Sequence, residues 1–544
     1  MQPALFRFSP PAWLVLWVCA LLWAIFQHGP LPLYSTRTLG VAWEMWNQGT
    51  FLVPHTNGAP YSHKVPLLFW LIHAGWAAFG VNDVWPRILQ VLIAAAWLFT
   101  SARLAQAANI GKPSAASLVP WLLIALPYPF LFSLQIMYEV LLALCVAAAL
   151  CALTGRPRWH WFALAIGAGL LTKGPVMLLH VVFPWLLGPW WSEAARSNRR
   201  HWYSGGLLAI AGGIALLLAW AVPAGFVGGE DYRRELFFLQ TAGRVVASFD
   251  HARPVFWYLP MLLVLMLPWA TWPRVWHALA TARGPMTDNE RFAVSWVLPT
   301  FVVFCLISGK QVYYLLPLVP GMAMLLAAAL RRQQSRMLGN GRRWRAWPIA
   351  TVLIGIALLL AALPVWRAHA ANAPHWVADT YATAPWFAAG FLALGAVCLL
   401  GDPRHELQRI AVCVLLGVAL VHTVFARSLF HHFDLRPAAA VLARAEAEGR
   451  PIANVGRYEA QFHFVARLNR PLVEIEAHDI GAWAKANPDG VIVRYPARTE
   501  PADEKAALLV QPFRSRWIEI WDAQTLAMTT ASAFDETTTL FPQE

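Results

Sequence analysis

Runs of roughly 18 to 20 apolar residues recur along this chain, and each is long enough to cross about 30 Å of hydrocarbon as a helix. A water-soluble fold would have to bury all of them, and too few polar residues remain to cover that core. Of the 544 residues, 58% are apolar and 13% charged, with 30 tryptophans. A soluble protein of this length needs a far more charged surface. The chain therefore reads as a polytopic α-helical membrane protein. Its apolar runs predict about 13 spans, near residues 11–29, 84–106, 116–134, 136–154, 159–172, 175–192, 203–225, 254–276, 292–308, 312–330, 346–366, 384–401 and 408–427.

The formal charge of +13 is unevenly placed. Before Asp434 there are 30 Lys and Arg against 13 Asp and Glu; from Asp434 onward there are 12 against 16. The basic excess belongs to the membrane part, where cations flank spans, and is no sign of nucleic-acid binding. Lys112, Arg156, Arg158, Arg196, Arg199, Arg200, Arg274, Arg283, the arginines from Arg331 to Arg345, Arg404 and Arg409 fall in loops of one side. The positive-inside rule makes that side cytoplasmic. An odd number of spans then puts the C-terminal tail outside. The six cysteines (Cys19, Cys145, Cys151, Cys305, Cys398, Cys413) all lie in apolar runs without metal or redox spacing, and read as small buried hydrophobes. Arg7 followed by the run from Trp13 to Phe26, with no small-residue cleavage site, predicts an uncleaved first span.

The opposite face carries the longer loops, 30–83, 226–253, 308–313 and 367–383, and loops over a rigid core are where binding and catalysis concentrate. Val65 to Phe79, with Pro66 near its start, predicts a piece lying along the interface. From about residue 430 the composition becomes that of a soluble domain. Short β-rich runs (Pro451–Val455, Pro471–Glu476, Gly490–Tyr495, Trp517–Trp521) alternate with helical stretches near 458–468, 479–486 and 502–509. That alternation predicts a small α/β domain, without a catalytic signature of its own.

Four polar clusters fall on the outer face. The first holds Tyr34, Arg37, Glu44, Tyr61 and Lys64; the second Glu139 and Lys173; the third Arg244, His251, Pro254, Trp257 and Tyr258; the fourth Lys310, Tyr313 and Tyr314. Arg37, Lys64, Lys173, Arg244 and Lys310 thus stand near one membrane level, where a lipid phosphate is a natural partner for Arg, Lys and Tyr. The plainer alternative is that each cation snorkels to the interface. Glu139, at the edge of an apolar span, is a candidate general base or cation holder; its plainer role is to pair with a lysine. Glu44 is placed either to serve the site or simply to cap or to pair with Arg37. His251 is either a phosphate ligand or an interface histidine. No Asp, Glu or His spacing resembles a dedicated metal site, though a phosphate site is compatible with a divalent cation.

These residues carry a family resemblance. Trp43-Glu44-Met45, Gly49, Pro54, Tyr61, Lys64-Val65-Pro66, Phe79-Gly80 and Arg87 form a first-loop pattern similar to that of bacterial protein O-mannosyltransferase-like, lipid-linked-sugar glycosyltransferases of the GT-C type, a group that includes the aminoarabinose transferase acting on lipid A. Leu171-Thr-Lys-Gly-Pro175, His251…Pro254…Trp257-Tyr258…Pro268-Trp269 and Lys310…Tyr314…Pro317…Pro320 resemble its later motifs. The resemblance covers about residues 30 to 330. It implies a transmembrane glycosyltransferase-like domain over 1–430 and a periplasmic α/β domain over 431–544, in a bacterial inner membrane. It implies a polyprenyl-phosphate-linked sugar donor, an envelope acceptor and inversion at the anomeric carbon. Lys64, Arg244 and Tyr314 would contact the donor phosphate, with Arg37, Tyr61 and His251 as further pocket residues. Lys173 and Lys310 are expected as supporting cations.

One departure stands out. The family usually has an acid three residues before the position of Arg37, often followed by a second; here those positions are Tyr34 and Ser35. Three consequences stay open: Glu139 alone acts as base, the acceptor is already ionised, or the protein binds its lipid without catalysis. The last would make it a polyprenyl-phosphate-binding or assembly protein. A transporter would place charges deep within spans, and few stand there.

Overall fold

The computed structural model describes residues 11–108, 113–237, 252–336, 346–369, 380, 383–400, 405–499 and 501–530. Among them, six helices are long and apolar enough to cross a membrane: Val84–Ala108, Arg199–Val227, Asp288–Leu306, Val312–Gln333, Trp347–Trp366 and Glu406–Ser428. Shorter apolar helices include Ala12–Ile25, Leu67–Phe79, Val176–Leu186 and Ala384–Leu399. The expected membrane fold is present, but its apolar runs are more broken than the sequence suggests. Residues 116–134 hold two short helices, Val119–Ile124 and Pro127–Ser133, split where Leu126 adopts extended backbone before Pro127. Proline disfavours the helical conformation in the residue before it, and that explains the break. Pro127–Ser133 and Tyr138–Leu153 then meet at a bend of 117°. Residues 254–276 divide likewise, into Tyr258–Leu265, a short turn at Trp269–Thr271 and Pro273–Thr281, at Pro268 and Pro273.

The chain forms two compact units. The first takes Met1–Gln27, Pro86–Ala221 and Thr241–Val424. It is helical, and many of its tryptophans serve as packing bodies: Trp17, Trp97, Trp202, Trp269, Trp272 and Trp296 are fully buried. Close approach is made possible by glycine. A Cβ at Gly206 would stand 1.9 Å from the Trp185 indole, and one at Gly188 would stand 2.4 Å from that of Trp202. Outward-facing Leu207, Leu208, Leu358, Leu359 and Trp386 are exposed, an arrangement suited to lipid and costly in water.

The second unit takes His28–Trp85, Val222–Gln240 and Phe425–Glu544. It holds the helix Tyr34–Gln48, a two-stranded hairpin of β1 (His55–Thr56) and β2 (Ala59–Pro60), and the helix Leu67–Phe79 that begins after Pro66 as expected. Its sheet comprises β3 (Ile452–Val455), β4 (Val473–Ile475), β5 (Val491–Arg494), β6 (Leu509–Phe513) and β7 (Arg516–Asp522) in the order β4-β3-β5-β7-β6. β3 runs parallel to β4 and β5, and β7 antiparallel to β5 and β6. Each face is covered. Ala438, Ala439 and Leu442 of the helix Arg436–Ala447 pack with Val491, Val493, Ile518 and Ile520, whereas Ile480, Ala484 and Leu526 pack with Ile492 and Trp521. The predicted helix at 502–509 is shorter, Pro501–Ala506, and Leu509–Phe513 pairs with β7 as a strand. Likewise 458–468 holds one helical turn, His463–Ala466.

Candidate functional site

Expected site residues fall in both units, and each set has its own geometry. In the first unit, Met137 is extended and ends the bend, so Tyr138-Glu139 open the next helix. A carboxylate there faces the positive end of the helix dipole. Trp159–Lys173 ends at Lys173, where Gly174 takes a φ of 67° that other residues rarely adopt. The two helices pack side by side, and Lys173 Nζ meets Glu139 Oε1 at 2.9 Å. The Glu139 side chain is 1% exposed and that of Lys173 17%. The lysine also lies over two phenol rings, 5.2 Å from the centre of Tyr313 and 4.5 Å from that of Tyr314. These tyrosines sit on a 3-10 turn, Val312–Leu318. Tyr128 and Tyr258 fix its approach by donating to the carbonyls of Val312 at 2.8 Å and Gln311 at 2.9 Å. Glu139, Lys173, Tyr313 and Tyr314, drawn from three stretches of sequence, thus form one group. Pairing an ammonium with a carboxylate offsets the cost of burying either group alone.

Lys310 is buried, and its ammonium donates to the carbonyls of Ile307 at 2.5 Å and Arg253 at 3.0 Å. Together with the Arg253 N–H donating to Ser308 O at 3.1 Å, it ties the segment after Asp288–Leu306 to that before Val255–Trp257. In this structure Lys310 acts on backbone. Arg244 and His251 lie outside the described residues.

In the second unit, Tyr34–Gln48 carries Tyr34, Arg37 and Glu44. The Arg37 guanidinium stands 5.7 Å from the Tyr34 ring centre and Lys64 Nζ 6.0 Å from it, so both cations gather on one phenol. The Tyr61 and His63 rings are 5.3 Å apart beside them in sequence. The expected Arg37–Glu44 pair is not formed. Arg37 pairs with Glu459 of the C-terminal domain, a residue nothing in the sequence singled out. Glu44 is used by the hairpin instead: the N–H groups of Asn57 and Gly58 donate to its two oxygens at 2.6 and 2.9 Å. Asn57 and Gly58 have φ of 51° and 81°, the left-handed pair that a two-residue hairpin turn requires. His463 Nε2 lies 3.6 Å from Glu44, and its Nδ1 shares a 2.8 Å hydrogen bond with the Tyr458 hydroxyl. Burial pushes the Glu44 carboxyl up, against the pull of the two N–H donors, and pushes the His463 imidazole down to about 4. The histidine is therefore neutral, and its contact with Glu44 is polar packing. Among the described residues, no three His, Cys, Asp or Glu gather as a metal-binding cluster.

The chain therefore combines a multi-helix domain of membrane type, carrying a buried carboxylate–lysine pair, with a five-stranded α/β sheet later in the sequence. Over 455 residues the chain is 25% identical to the undecaprenyl phosphate-α-4-amino-4-deoxy-L-arabinose arabinosyl transferase of Edwardsiella ictaluri, covering 74% of this chain and 76% of that one. The protein of the same name from Pseudomonas aeruginosa is 29% identical over 361 residues, 62% of each chain. One from Pseudomonas fluorescens is 27% identical over 373 residues, 65% of this chain and 63% of that one, so these two matches span under two thirds of the relatives' lengths. The fold matches that of ArnT from Cupriavidus metallidurans bound to undecaprenyl phosphate, with a TM-score of 0.68, 20% identity, and coverage of 94% of this chain and 98% of the other. No family model matches. Over most of its length the chain is thus similar to lipid-linked-sugar glycosyltransferases, in sequence to the arabinosyl transferases and in fold to ArnT.

Proposed function

We propose that this protein transfers a sugar from a polyprenyl-phosphate donor to an envelope acceptor at the periplasmic face of a bacterial inner membrane. Undecaprenyl-phosphate-linked aminoarabinose is the donor its relatives' names suggest, and lipid A is the acceptor of first choice. The observation that carries this reading is the buried Glu139–Lys173 pair under Tyr313 and Tyr314. It sets a fixed carboxylate and a fixed cation together at the ends of two packed helices.

In the reaction, an acceptor oxygen attacks the anomeric carbon while the bond from that carbon to the phosphate oxygen breaks. The lipid phosphate leaves with the electron pair, and the configuration inverts. Glu139 takes the acceptor proton, and Lys173, 2.9 Å away, holds the carboxylate in position. Cations and phenols compensate the charge growing on the leaving phosphate. Tyr314, Arg244 and Lys64 are assigned to it, with Arg37, Tyr61, Tyr313 and His251 supporting. Where the acceptor is itself an ionised phosphate, no proton needs removal and the reaction needs no base.

Mass spectrometry of envelope lipids and glycans from a deletion strain, beside its complemented parent, tests this reading. A sugar mass lost on deletion and restored by the wild-type gene is expected, and it names the acceptor. Unchanged envelopes with expression verified would favour a protein that binds polyprenyl phosphate without turning it over.

A further inference from the structure

The turn from Arg457 to Gln461 carries Glu459 and is fixed from both sides. On the sheet side, the Glu459 N–H donates to Gln461 Oε1 at 3.0 Å, Gln461 Nε2 to the Tyr495 hydroxyl at 2.9 Å, and that hydroxyl to Asn454 Oδ1 of β3 at 2.7 Å. On the other side it meets the helix Tyr34–Gln48. A Cβ at Gly40 would lie 2.4 Å from the Ala460 carbonyl oxygen, so only glycine admits this approach. Ala460 is fully buried with a φ of 53°. A non-glycine residue holds that conformation only where its surroundings over-determine it. Further along, Trp43 Nε1 donates to Leu468 O at 2.7 Å.

This fixed turn aims Glu459 at Arg37. Neither side chain is sealed off: Arg37 is 25% exposed and Glu459 13%. The first turn of Tyr34–Gln48 has no acid of its own. Arg37 and Lys64 gather on the Tyr34 ring, and Arg457 Nε lies 3.8 Å from Glu459 Oε1. A free guanidinium samples many rotamers, and a carboxylate mounted on the sheet removes most of that freedom.

We infer that Glu459 is a positioning residue that holds Arg37 beside Tyr34 and Lys64 for the donor phosphate, making the C-terminal domain a working part of donor binding. This rests on the donor-phosphate reading above. The protein reconstituted in nanodiscs is assayed for the KM of the polyprenyl-phosphate sugar and for binding of undecaprenyl phosphate, as wild type, Glu459→Gln, Glu459→Asp, Arg37→Ala and the Arg37→Ala/Glu459→Gln double variant. Glu459→Gln is expected to raise donor KM and weaken binding roughly tenfold, the scale of one lost charge-assisted hydrogen bond. Glu459→Asp is expected to recover part of that loss. In the Arg37→Ala background Glu459→Gln should add nothing, because it acts through the arginine. Asp522→Asn, which breaks the Arg450–Asp522 pair in the same domain, is the control that leaves donor KM unchanged. Wild-type values in Glu459→Gln, or a loss that simply adds to that of Arg37→Ala, would overturn the inference. Should Glu459→Gln fail to fold, Glu459→Asp against wild type decides, and equal affinities would overturn it. A wild type that neither binds nor turns over the donor defeats the functional reading itself, which separates the two failures.

Discussion

Glu139 and Lys173 hold each other in place where neither charge would be stable alone. Removing the lysine leaves a buried carboxylate uncompensated, at a cost of about 3–5 kcal/mol. Lys173→Ala should accordingly lower the thermal midpoint as well as activity. Glu139→Gln keeps the shape and removes the base. It is expected to lower transfer by roughly 10²- to 10⁴-fold while undecaprenyl-phosphate binding persists; full activity in that variant would take Glu139 out of the mechanism. His463 makes a second prediction. Its imidazole, held neutral with a pKa pushed down to about 4, gains a proton in the unfolded chain near 6.5. Its contribution to stability is therefore complete above pH 6.5 and is lost as pH falls toward 4. The raised carboxyl of Glu44 acts in the opposite sense at the acid end, binding its proton more readily in the folded state. Melting curves from pH 7.5 to 5 should show wild type losing its advantage over His463→Gln as the pH drops; parallel curves would contradict this. Glu139 and Lys173 were legible because charges stand out in apolar runs. Glu459 was not, since an acid in a polar domain looks like any other and its partner lies 422 positions away.

At the scale of elements, the helix Tyr34–Gln48 does the most to organise the second unit. Glu44 caps the Asn57-Gly58 turn, Arg37 meets Glu459, and Gly40 gives the space for Ala460. Gly40→Ala puts a methyl group against a backbone carbonyl that cannot swing away. A destabilisation of about 1–3 kcal/mol is expected, the range for overpacking, with faster protease cleavage between Ala460 and Leu468. Unchanged proteolysis would show that the turn is held elsewhere. The stretch from Val65 to Phe79, with Pro66 near its start, was legible as one piece, and Leu67–Phe79 of it is a helix. The breaks at Pro127, Pro268 and Pro273 were in plain sight, yet the apolar runs around them masked their effect. β6 was missed because Leu509–Phe513 is short, contains Pro512 and sits at the sheet edge, where proline is tolerated.

For the whole molecule, composition and charge distribution were enough to give a membrane fold followed by an α/β domain. They did not show that residues 28–85 belong to the same compact unit as residues 425–544. That grouping rests on contacts such as Asn57 Nδ2 donating to Leu472 O at 2.9 Å and the parallel stack of Trp76 on Phe464, with ring centres 5.5 Å apart. Neither leaves a mark in local sequence. It ties the loop bearing Arg37 and Lys64 to the domain bearing Glu459, so cutting away the C-terminal domain should impair donor binding as well as stability. Group transfer by the purified chain is the property to measure. Purified protein in nanodiscs, supplied with an undecaprenyl-phosphate-linked aminoarabinose donor and lipid A, should release undecaprenyl phosphate in step with a sugar adduct on the acceptor, and Glu139→Gln should abolish both signals. Donor bound by the wild type but never consumed, across lipid A and other envelope acceptors, would contradict it.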